Sequence, residues 1–445
     1  MRSAAVACFA LATVVATGAR TARADPWQIP VASEIRHVAG FHARGDTKVT
    51  DTALGYLTHL RVGDPIRPTD IPVIEEALMS SELFSTAKVT LEDGPDGVVV
   101  VATVEDKLSW FAAPTLYVLP TNRAVGVGYV ENDFRGNDQK FLVYGQIGTQ
   151  TSLAFAAFLD PAVHGSKLTY RLDLYYEHRQ IDEYLNPTND PTSFAIARST
   201  NEQFFDGGAL VGWNWYWWLG ADLRLRGGYA EFADPRDAAG RPAVVPEKDG
   251  KDTTVQLHVT LDHRIHLLGV TWGPYAQLTL ERSIPGLDDY DYDSYLLRAY
   301  YSWHFWGEHE LEVRGILNGG YNLPFHEEVA LGGATDLRGY DQDQFRGDFN
   351  AVLRAEYSVP LYKYKLFAFR GLAFYDGGYD TFLHKATDRD YLPSELGVGF
   401  LRNDVGIGFR VYVKNVVLPL LGLDLGYGIE GHSPEVYFEL GLTDF

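Results

Sequence analysis

The sequence has very little sulfur: one cysteine, Cys8, and two methionines occur in 445 residues. Residues 1–24 have the form of a cleaved secretory signal, in which Arg2 precedes an apolar run and an Ala-Arg-Ala site ends the segment. Because Cys8 lies inside this segment, we expect a mature chain without cysteine. Such a chain has neither disulfides nor a thiolate metal site.

Long apolar runs and positive charges are also scarce. After the predicted signal, no stretch approaches the roughly 18–20 apolar residues that a spanning helix needs. A membrane form of this chain would therefore have to be a β-barrel. The formal net charge is −21, and loss of the signal, which has three arginines and no acids, takes it to about −24. A surface this acidic argues against nucleic acid as a partner.

Motifs for catalysis and cofactor binding are missing as well. The chain has no G-x-S-x-G elbow, and its 13 histidines are scattered without metal-ligand spacing. The glycines near Gly126 and Gly406 lie in strand-like segments, and no helix follows them that would bind phosphate. The acidic run 288–293 suits Ca²⁺ in principle, but a solvated loop explains it better. We therefore expect a protein that is not an enzyme and has no cofactor or metal.

Residues 27–107 predict a small α+β domain in the order strand, helix, helix, strand, strand. Helical patterns begin near Thr50 or Asp51 and near Thr69 or Asp70, residue types that cap helix N-termini. Two strand patterns then flank the turn Asp-Gly-Pro-Asp-Gly, which indicates a hairpin.

From Leu108 onward, apolar and polar residues alternate one for one. In residues 166–177, for example, leucines and tyrosines share one face and charged residues share the other. A β-sandwich would also alternate, but its strands are usually shorter than these runs of roughly ten residues. An apolar face against a charged one fits lipid outside and water inside a transmembrane barrel.

The connections between about sixteen predicted strands tend to alternate between short and long. Short ones fall near Leu219, Gly307, Lys363 and Asn415, and long ones near residues 178–201, 233–251, 321–347 and 378–399. Short turns on one rim and long loops on the other are typical of outer-membrane barrels. We therefore predict a transmembrane antiparallel β-barrel of about sixteen strands, residues 108–445, with a small N-terminal α+β domain.

Several motifs together resemble the BamA-like superfamily of outer-membrane assembly and translocation proteins, which join periplasmic POTRA domains to a sixteen-strand barrel. The stretch "RVGDPIRPTDIPVIEEALMSSELFSTAKVTLE" resembles a POTRA domain, and "LGGATDLRGY" resembles the signature loop of the barrel. "AEYSVPL" and "FYDGG" resemble the two strands that follow this loop. The resemblance extends over nearly the whole mature chain and implies one POTRA-like domain at 27–107 and a bacterial surface antigen-type barrel.

The resemblance implies a role for the glycine-rich loop. In the family this loop is the sixth outer loop, which folds back into the lumen, where its arginine pairs with acidic side chains. Carried over, the loop motif comprises Gly332, Gly333, Arg338, Gly339 and Tyr340, and the candidate salt-bridge partners are Glu356 and Asp376. The strand count independently places this loop between the eleventh and twelfth strands, and strand parity places Glu356 on the lumen side.

The resemblance also implies a signal in the C-terminal strand, with Phe438, Gly441 and Phe445 as candidate residues. The spacing from Gly441 to Phe445 is one residue longer than the family usually shows. For Arg338 two roles stay open: a salt bridge that only holds the loop in place, or a latch that controls opening of the lumen or seam.

The implied function is insertion or translocation of polypeptides at the bacterial outer membrane, with the N-terminal domain in the periplasm. The expected partners are outer-membrane lipid, unfolded outer-membrane or secreted polypeptides, and possible periplasmic accessory proteins. A dedicated secretion pore for one partner protein is the alternative within the family. A passive diffusion channel is the alternative of a different class.

Overall fold

The computed structural model describes residues 35–184, 195–267, 270–365, 367–384, 389, 392, 396–397, 399–413, 419–432 and 434–440. The predicted signal peptide and two of the predicted C-terminal strand residues, Gly441 and Phe445, lie outside the described residues. Among those described, no helix has the length and apolar character needed to cross a bilayer.

The N-terminal domain is a four-stranded sheet with two helices packed against it. Its elements are β1 (Arg36–Asp46), α1 (Asp51–Leu57), β2 (Pro65–Ile66), a 3₁₀ turn (Pro68–Asp70), α2 (Ile71–Ser80), β3 (Phe84–Gly94) and β4 (Gly97–Asp106). The strand order is β2-β1-β4-β3, with β1 parallel to β4. The strand β2 is missing from the prediction because two residues carry no periodicity.

Apolar side chains from the helices and the sheet form the core of this domain. Leu54 of α1, Leu78 of α2 and Val98 of β4 are fully buried, and burying each such side chain contributes about 1.5–3 kcal/mol. Thr50 caps the N-terminus of helix α1, because its Oγ1 accepts a hydrogen bond from the Ala53 amide at 3.2 Å. Helix α2 has no side-chain cap of this kind, because the preceding 3₁₀ turn leads directly into it.

The remaining strands close into a barrel. Its strands are β5 (Trp110–Val118), β6 (Arg123–Phe134), β7 (Gln139–Gly148), β8 (Thr151–Asp160), β9 (Leu168–Tyr184), β10 (Ile196–Tyr216), β11 (Leu219–Asp237), β12 (Gly250–Asp262), β13 (Ile265–Leu267), β14 (Val270–Ser283), β15 (Asp293–Phe305) and β16 (His309–Tyr321), then, after a small hairpin of β17 (Val329–Leu331) and β18 (Phe345–Gly347), β19 (Phe349–Tyr364), β20 (Phe367–Thr381), β21 (Gly399–Val413), β22 (Pro419–Gly428) and β23 (Pro434–Leu440). Strands β12 and β13 both pair with β14 and count as one interrupted strand, so the barrel has sixteen. This confirms the predicted fold class for the barrel.

The two faces of the barrel wall differ as the alternation predicts. On β9, Leu172 and Leu174 are 54% and 56% exposed on the outer face, whereas Asp173 between them is 6% exposed on the lumen side. A wall with an apolar outer face and a polar inner face suits lipid outside and water inside.

The connections divide the barrel into two rims. The short-turn rim includes connections 135–138, 161–167, 217–218 and 306–308, and the long-loop rim includes 238–249, 284–292, 322–348 and 382–398. The sorting has exceptions, because 119–122, 149–150 and 429–433 are short connections on the long-loop rim. The loops of the long-loop rim are therefore short beside β5–β8.

Several strands are longer than the sequence pattern indicates. Strand β9 continues to Tyr184 and β10 begins at Ile196, inside the predicted long loop 178–201, and β11 continues to Asp237. Beyond the apolar belt both faces of these strands carry polar residues, so the alternation disappears although the strand pairing continues.

The N-terminal domain contacts the short-turn rim. The Thr50 amide donates to the Gly136 carbonyl at 2.8 Å, and Thr50 Oγ1 donates to Asn137 Oδ1 at 2.9 Å. Gly136 has φ +72°, and a Cβ there would lie 1.9 Å from the Lys48 carbonyl oxygen, so only glycine allows this approach.

A stacked ring pair forms a further contact between the domain and the rim. The His59 ring lies parallel to that of Trp217, with centroids 4.2 Å apart and planes inclined by 2°. Trp217 follows β10 in the aromatic segment Trp213–Trp218, an aromatic belt at the end of the barrel wall.

Candidate functional site: the lumenal loop and the barrel seam

The loop between β16 and β19, residues 322–348, is the sixth connection on the long-loop rim and is called the sixth loop below. Four of its side chains and one from the barrel wall form a small apolar core. The buried members are Leu331, Leu337, Tyr340, Phe345 and Val352. Because the hairpin of β17 and β18 supports this core, the loop is a packed structure inside the barrel.

Two glycines allow the chain to turn back after β17. Gly332 and Gly333 have φ values of +122° and +101°, which side-chain-bearing residues rarely adopt. A Cβ on Gly332 would lie 2.3 Å from the Asp341 carbonyl oxygen. These positions therefore require glycine for both backbone conformation and space.

Arg338 lies at the inner end of the sixth loop and is 1% exposed. Its Nε and Nη2 donate to the two oxygens of Asp376 at 2.8 and 3.0 Å, and its Nη1 donates to Glu356 Oε2 at 2.9 Å. Its Cζ lies 3.4 Å from the centroid of the Phe374 ring. A planar guanidinium suits this double contact with one carboxylate and stacks on the aromatic face at the same time.

A third carboxylate, Asp424 on β22, also contacts Arg338 and is absent from the sequence prediction. Its Oδ2 lies 3.3 Å from Arg338 Nη1 and accepts a further bond from Arg410 Nη2 at 2.8 Å. Asp424 stands among leucines and glycines in "LGLDLGYG". Strand parity marks it as a lone lumenal acid, and this is the signal that could have identified it.

Gly339 brings the loop backbone against the barrel wall. Its amide donates to Asp404 Oδ2 at 3.0 Å, and a Cβ on it would lie 2.3 Å from the Gly428 amide nitrogen. On the wall, a Cβ on Gly426 would lie 2.0 Å from the Arg338 carbonyl oxygen. Glycines on both surfaces therefore permit direct contact between the two backbones.

Tyr340 connects the loop to the last strand. Its hydroxyl donates to Glu430 Oε2 at 2.7 Å, and its carbonyl accepts a bond from the Tyr437 hydroxyl of β23 at 2.7 Å. Through Arg338, Gly339 and Tyr340 the loop thus contacts every strand from β19 to β23.

The start of the sixth loop contacts the opposite wall. His326 Nε2 lies 3.1 Å from Asp252 Oδ2 of β12, and Tyr292 donates to Asp252 Oδ1 at 3.0 Å. Asp252, His326 and Glu327 lie close enough to hold a metal ion. However, the Arg226 guanidinium donates to Asp252 at 2.6 Å and to Glu327 at 3.2 Å, so an arginine supplies the positive charge there. Sequence patterns did not indicate this cluster.

The seam is the junction between the first and last barrel strands, β5 and β23. Among the described residues β23 and β5 pair at three positions: Phe438 with Val118, Glu439 with Tyr117, and Leu440 with Leu116. On its other side β23 pairs with β22 from Pro434 to Leu440. Phe438, one of the predicted C-terminal strand residues, therefore lies on the seam.

The family model of the Omp85 superfamily domain matches residues 133–441, more than two thirds of the chain. The chain belongs to the Omp85 superfamily. It is therefore a bacterial outer-membrane protein, and in such barrels the short turns are periplasmic and the long loops extracellular. No curated protein sequence matches this Omp85 protein.

Solved structures show the same fold at low sequence identity. BamA from Haemophilus ducreyi lacking POTRA domains 1–3 is 12% identical, with a TM-score of 0.55, over 90% of this chain and 84% of that chain. CdiB from Escherichia coli is 12% identical with a TM-score of 0.61, over 90% and 76%. CdiB from Acinetobacter baumannii is 11% identical with a TM-score of 0.57, over 92% and 74%.

Proposed function

We propose that this Omp85 protein inserts or translocates polypeptides at the outer membrane by exchanging strands at the barrel seam, without a covalent reaction. The observation that carries the proposal is that the first and last strands, β5 and β23, pair directly to close the barrel, at Phe438, Glu439 and Leu440 among the described residues. The closing pair is antiparallel, so an antiparallel client strand can take the place of β23 beside β5. Within a bilayer, backbone groups without partners are costly, so the edge of β5 that β23 releases favours pairing with another strand.

Strand exchange needs no external energy source in principle. A client strand that pairs with β5 replaces the hydrogen bonds that β23 gives up, so the number of backbone bonds is kept. A typical net hydrogen bond contributes about 0.5–1.5 kcal/mol, so each bond that β23 releases in turn presents a small barrier. The client remains hydrogen-bonded throughout its transfer into lipid.

We further propose that the N-terminal domain is a POTRA-like domain that captures clients in extended form. Strand β3 is the edge of its sheet, and its 11 residues have β4 on one side only within the described part of the domain. An extended segment can add to such an edge through main-chain hydrogen bonds, with little dependence on sequence. Capture beside the short-turn rim places the client at the periplasmic side of the barrel.

A reversible lock across the seam tests the proposal. Val118→Cys with Phe438→Cys places two thiols on directly paired positions, and no other described residue is a cysteine. Under oxidising conditions we expect client levels in the outer membrane to fall, and reductant to restore them. The matched control is Leu278→Cys with Leu297→Cys, a paired position inside the barrel wall. Complete cross-linking with normal client levels would show that the seam need not open.

Depletion of the protein separates the alternatives. A loss of several unrelated barrel proteins supports insertion, and loss of a single exported protein supports a dedicated secretion pore. A change confined to small-solute uptake supports a passive channel and rejects both polypeptide functions.

A further inference from the structure

A cavity of about 610 Å³ lies in the lumen beside β5–β9. The sixth loop closes it on one side through Ala334, Thr335 and Asp343. It lies towards the long-loop rim, where the connections 119–122 and 149–150 are short. The cavity, called the seam chamber below, is of a size that usually accommodates ligands.

The seam chamber lies directly behind the seam. Tyr117 of β5 and Glu439 of β23 are paired with each other across the seam, and both line the chamber. A segment that pairs with β5 would therefore place its lumen-facing side chains in this space.

Amide side chains are concentrated in the chamber. Four of the ten glutamines in the chain line it, namely Gln146, Gln150, Gln180 and Gln342. Gln150 and Gln180 each donate from Nε2 to Asp182 at 2.8 Å. A primary amide has two donors and an acceptor oxygen, so each side chain retains hydrogen-bonding capacity of the kind that peptide groups need.

Tyrosines provide the rest of the contact surface. Tyr117, Tyr144, Tyr175 and Tyr184 line the chamber, and the Tyr144 hydroxyl donates to Gln146 Oε1 at 2.7 Å. Tyrosine offers a large contact area at low conformational cost, and amides adapt their hydrogen bonds to different partners. This combination suits ligands that vary in sequence.

The charges of the chamber disfavour an acidic ligand. Four carboxylates line it, Glu177, Asp182, Asp343 and Glu439, against one cation, Arg179. Arg179 Nε already donates to Glu202 at 2.7 Å. An anionic segment would therefore meet excess negative charge without an uncommitted arginine to pair with.

We propose that the seam chamber binds an extended polypeptide segment that is polar, neutral or basic, and poor in acidic residues, while that segment is at the seam. The inference rests on the proposed function and deepens it, because it states which client chemistry the lumen side accepts. The chamber holds the inward-facing side chains of the client, and β5 pairs with its backbone.

Site-specific photo-cross-linking tests the location. A benzophenone amino acid is placed at Gln146 in the chamber, at Val118 on the seam, and at Gln277 as the matched control. Gln277 lies on β14, outside the chamber, and its side chain donates to Thr260 at 3.2 Å. We expect client adducts from Gln146 and Val118 and none from Gln277. Adducts from Val118 alone overturn the chamber proposal but leave strand exchange standing, whereas adducts from neither position reject the proposed function.

Peptide binding to the purified full-length protein in detergent tests the chemistry. The probes are a labelled peptide of Gly, Ser, Thr and Asn and versions in which several residues are replaced by Lys or by Asp. We expect the Asp version to bind at least about tenfold more weakly than the Lys version, since like charges repel across the chamber. Gln146→Leu with Gln180→Leu should weaken the neutral peptide by a similar factor. Equal binding of the Asp version, no effect of the double substitution, or displacement of the peptide by a neutral oligosaccharide would each overturn the proposed ligand class.

Discussion

Two regions of the barrel are built differently. One is the wall formed by β9–β12, called the tall wall below, and the other is formed by β19–β23 and β5, called the seam side. Strands β10 and β11 have 21 and 19 residues and pair along most of their length. At the seam, β23 has seven described residues and pairs with β5 at three positions. The tall wall is thus stabilised by long strand pairing, whereas the described part of the β23–β5 pair is short.

The ion pairs of the tall wall and of the seam side differ as well. In the tall wall, Arg224 of β11 pairs with Asp173 and Asp206 of the neighbouring strands β9 and β10. On the seam side, Asp376 and Asp424 belong to different strands, and Arg338 of the sixth loop joins them. The sixth loop contacts both regions, but in different ways: its Glu327 pairs with Arg226 of the tall wall, whereas its Arg338 joins carboxylates of β19, β20 and β22. We infer that loosening of the loop weakens the seam side first.

The largest expected effect comes from Arg338→Ala. It leaves Asp376, which is fully buried, without its main cation, and removal of one partner from a buried pair costs about 3–5 kcal/mol. We expect faster amide hydrogen exchange in β22 and β23, greater protease sensitivity of the sixth loop, and unchanged exchange in β10 and β11.

Two variants control the Arg338 measurement. Arg338→Lys keeps the charge but loses the double contact, and should have an intermediate effect. Arg282→Ala removes an exposed ion pair with Asp291 and Asp293, and should cost less than about 1 kcal/mol. If Arg338→Ala speeds exchange equally in both walls, the contrast between them does not depend on the loop.

A smaller effect is expected from Gly426→Ala. The added Cβ would lie 2.0 Å from the Arg338 carbonyl oxygen and would push the loop from the wall, at a cost of about 1–3 kcal/mol. The matched control is Gly227→Ala in β11, where nothing lies within 4 Å of the added carbon. Thermal unfolding of the purified full-length protein measures the stability of both variants. An equal loss of stability in the two variants would contradict direct backbone contact between loop and wall.

The smallest effect concerns Glu82, at the end of α2 in the N-terminal domain. Burial raises its pKa to about 7, although Lys107 and Lys140 favour the charged form. The folded domain therefore binds its proton more tightly than the unfolded chain. The stability that this gives is fully present below about pH 4.5 and is lost as pH rises through about 7.

Glu82→Gln should abolish this dependence and stabilise the domain at pH 8 by about 1–2 kcal/mol, with allowance for solvent screening. Glu76→Gln, on the exposed face of α2, should change little. Hydrogen exchange of the full-length protein measures the domain and the seam together. If β23 exchange follows the domain, the stability of the seam depends on the N-terminal domain as well as on the barrel.

Periodicity predicted the barrel because its walls face lipid on one side and water on the other, as Leu172, Asp173 and Leu174 show. It failed where that difference ends, as in β9 beyond the apolar belt. Spacing also cannot identify contacts across the lumen, since these depend on how the barrel curves and on its register. Glu356 and Asp376 came from the family resemblance and strand parity. Strand parity in "LGLDLGYG" could have identified Asp424, but the pair of Asp252 with His326 had no local pattern to mark it.

The length of β10 has one more consequence, on the cell surface. Its outward-facing apolar residues extend from Phe205 to Trp215, about 25 Å of height at usual strand rise and tilt, which matches the apolar band of such barrels. The nine residues from Ile196 to Phe204 then stand about 20 Å above the lipid, paired with β9 and β11. An antibody or a phage that binds this side of the barrel therefore has paired strands above the lipid to contact.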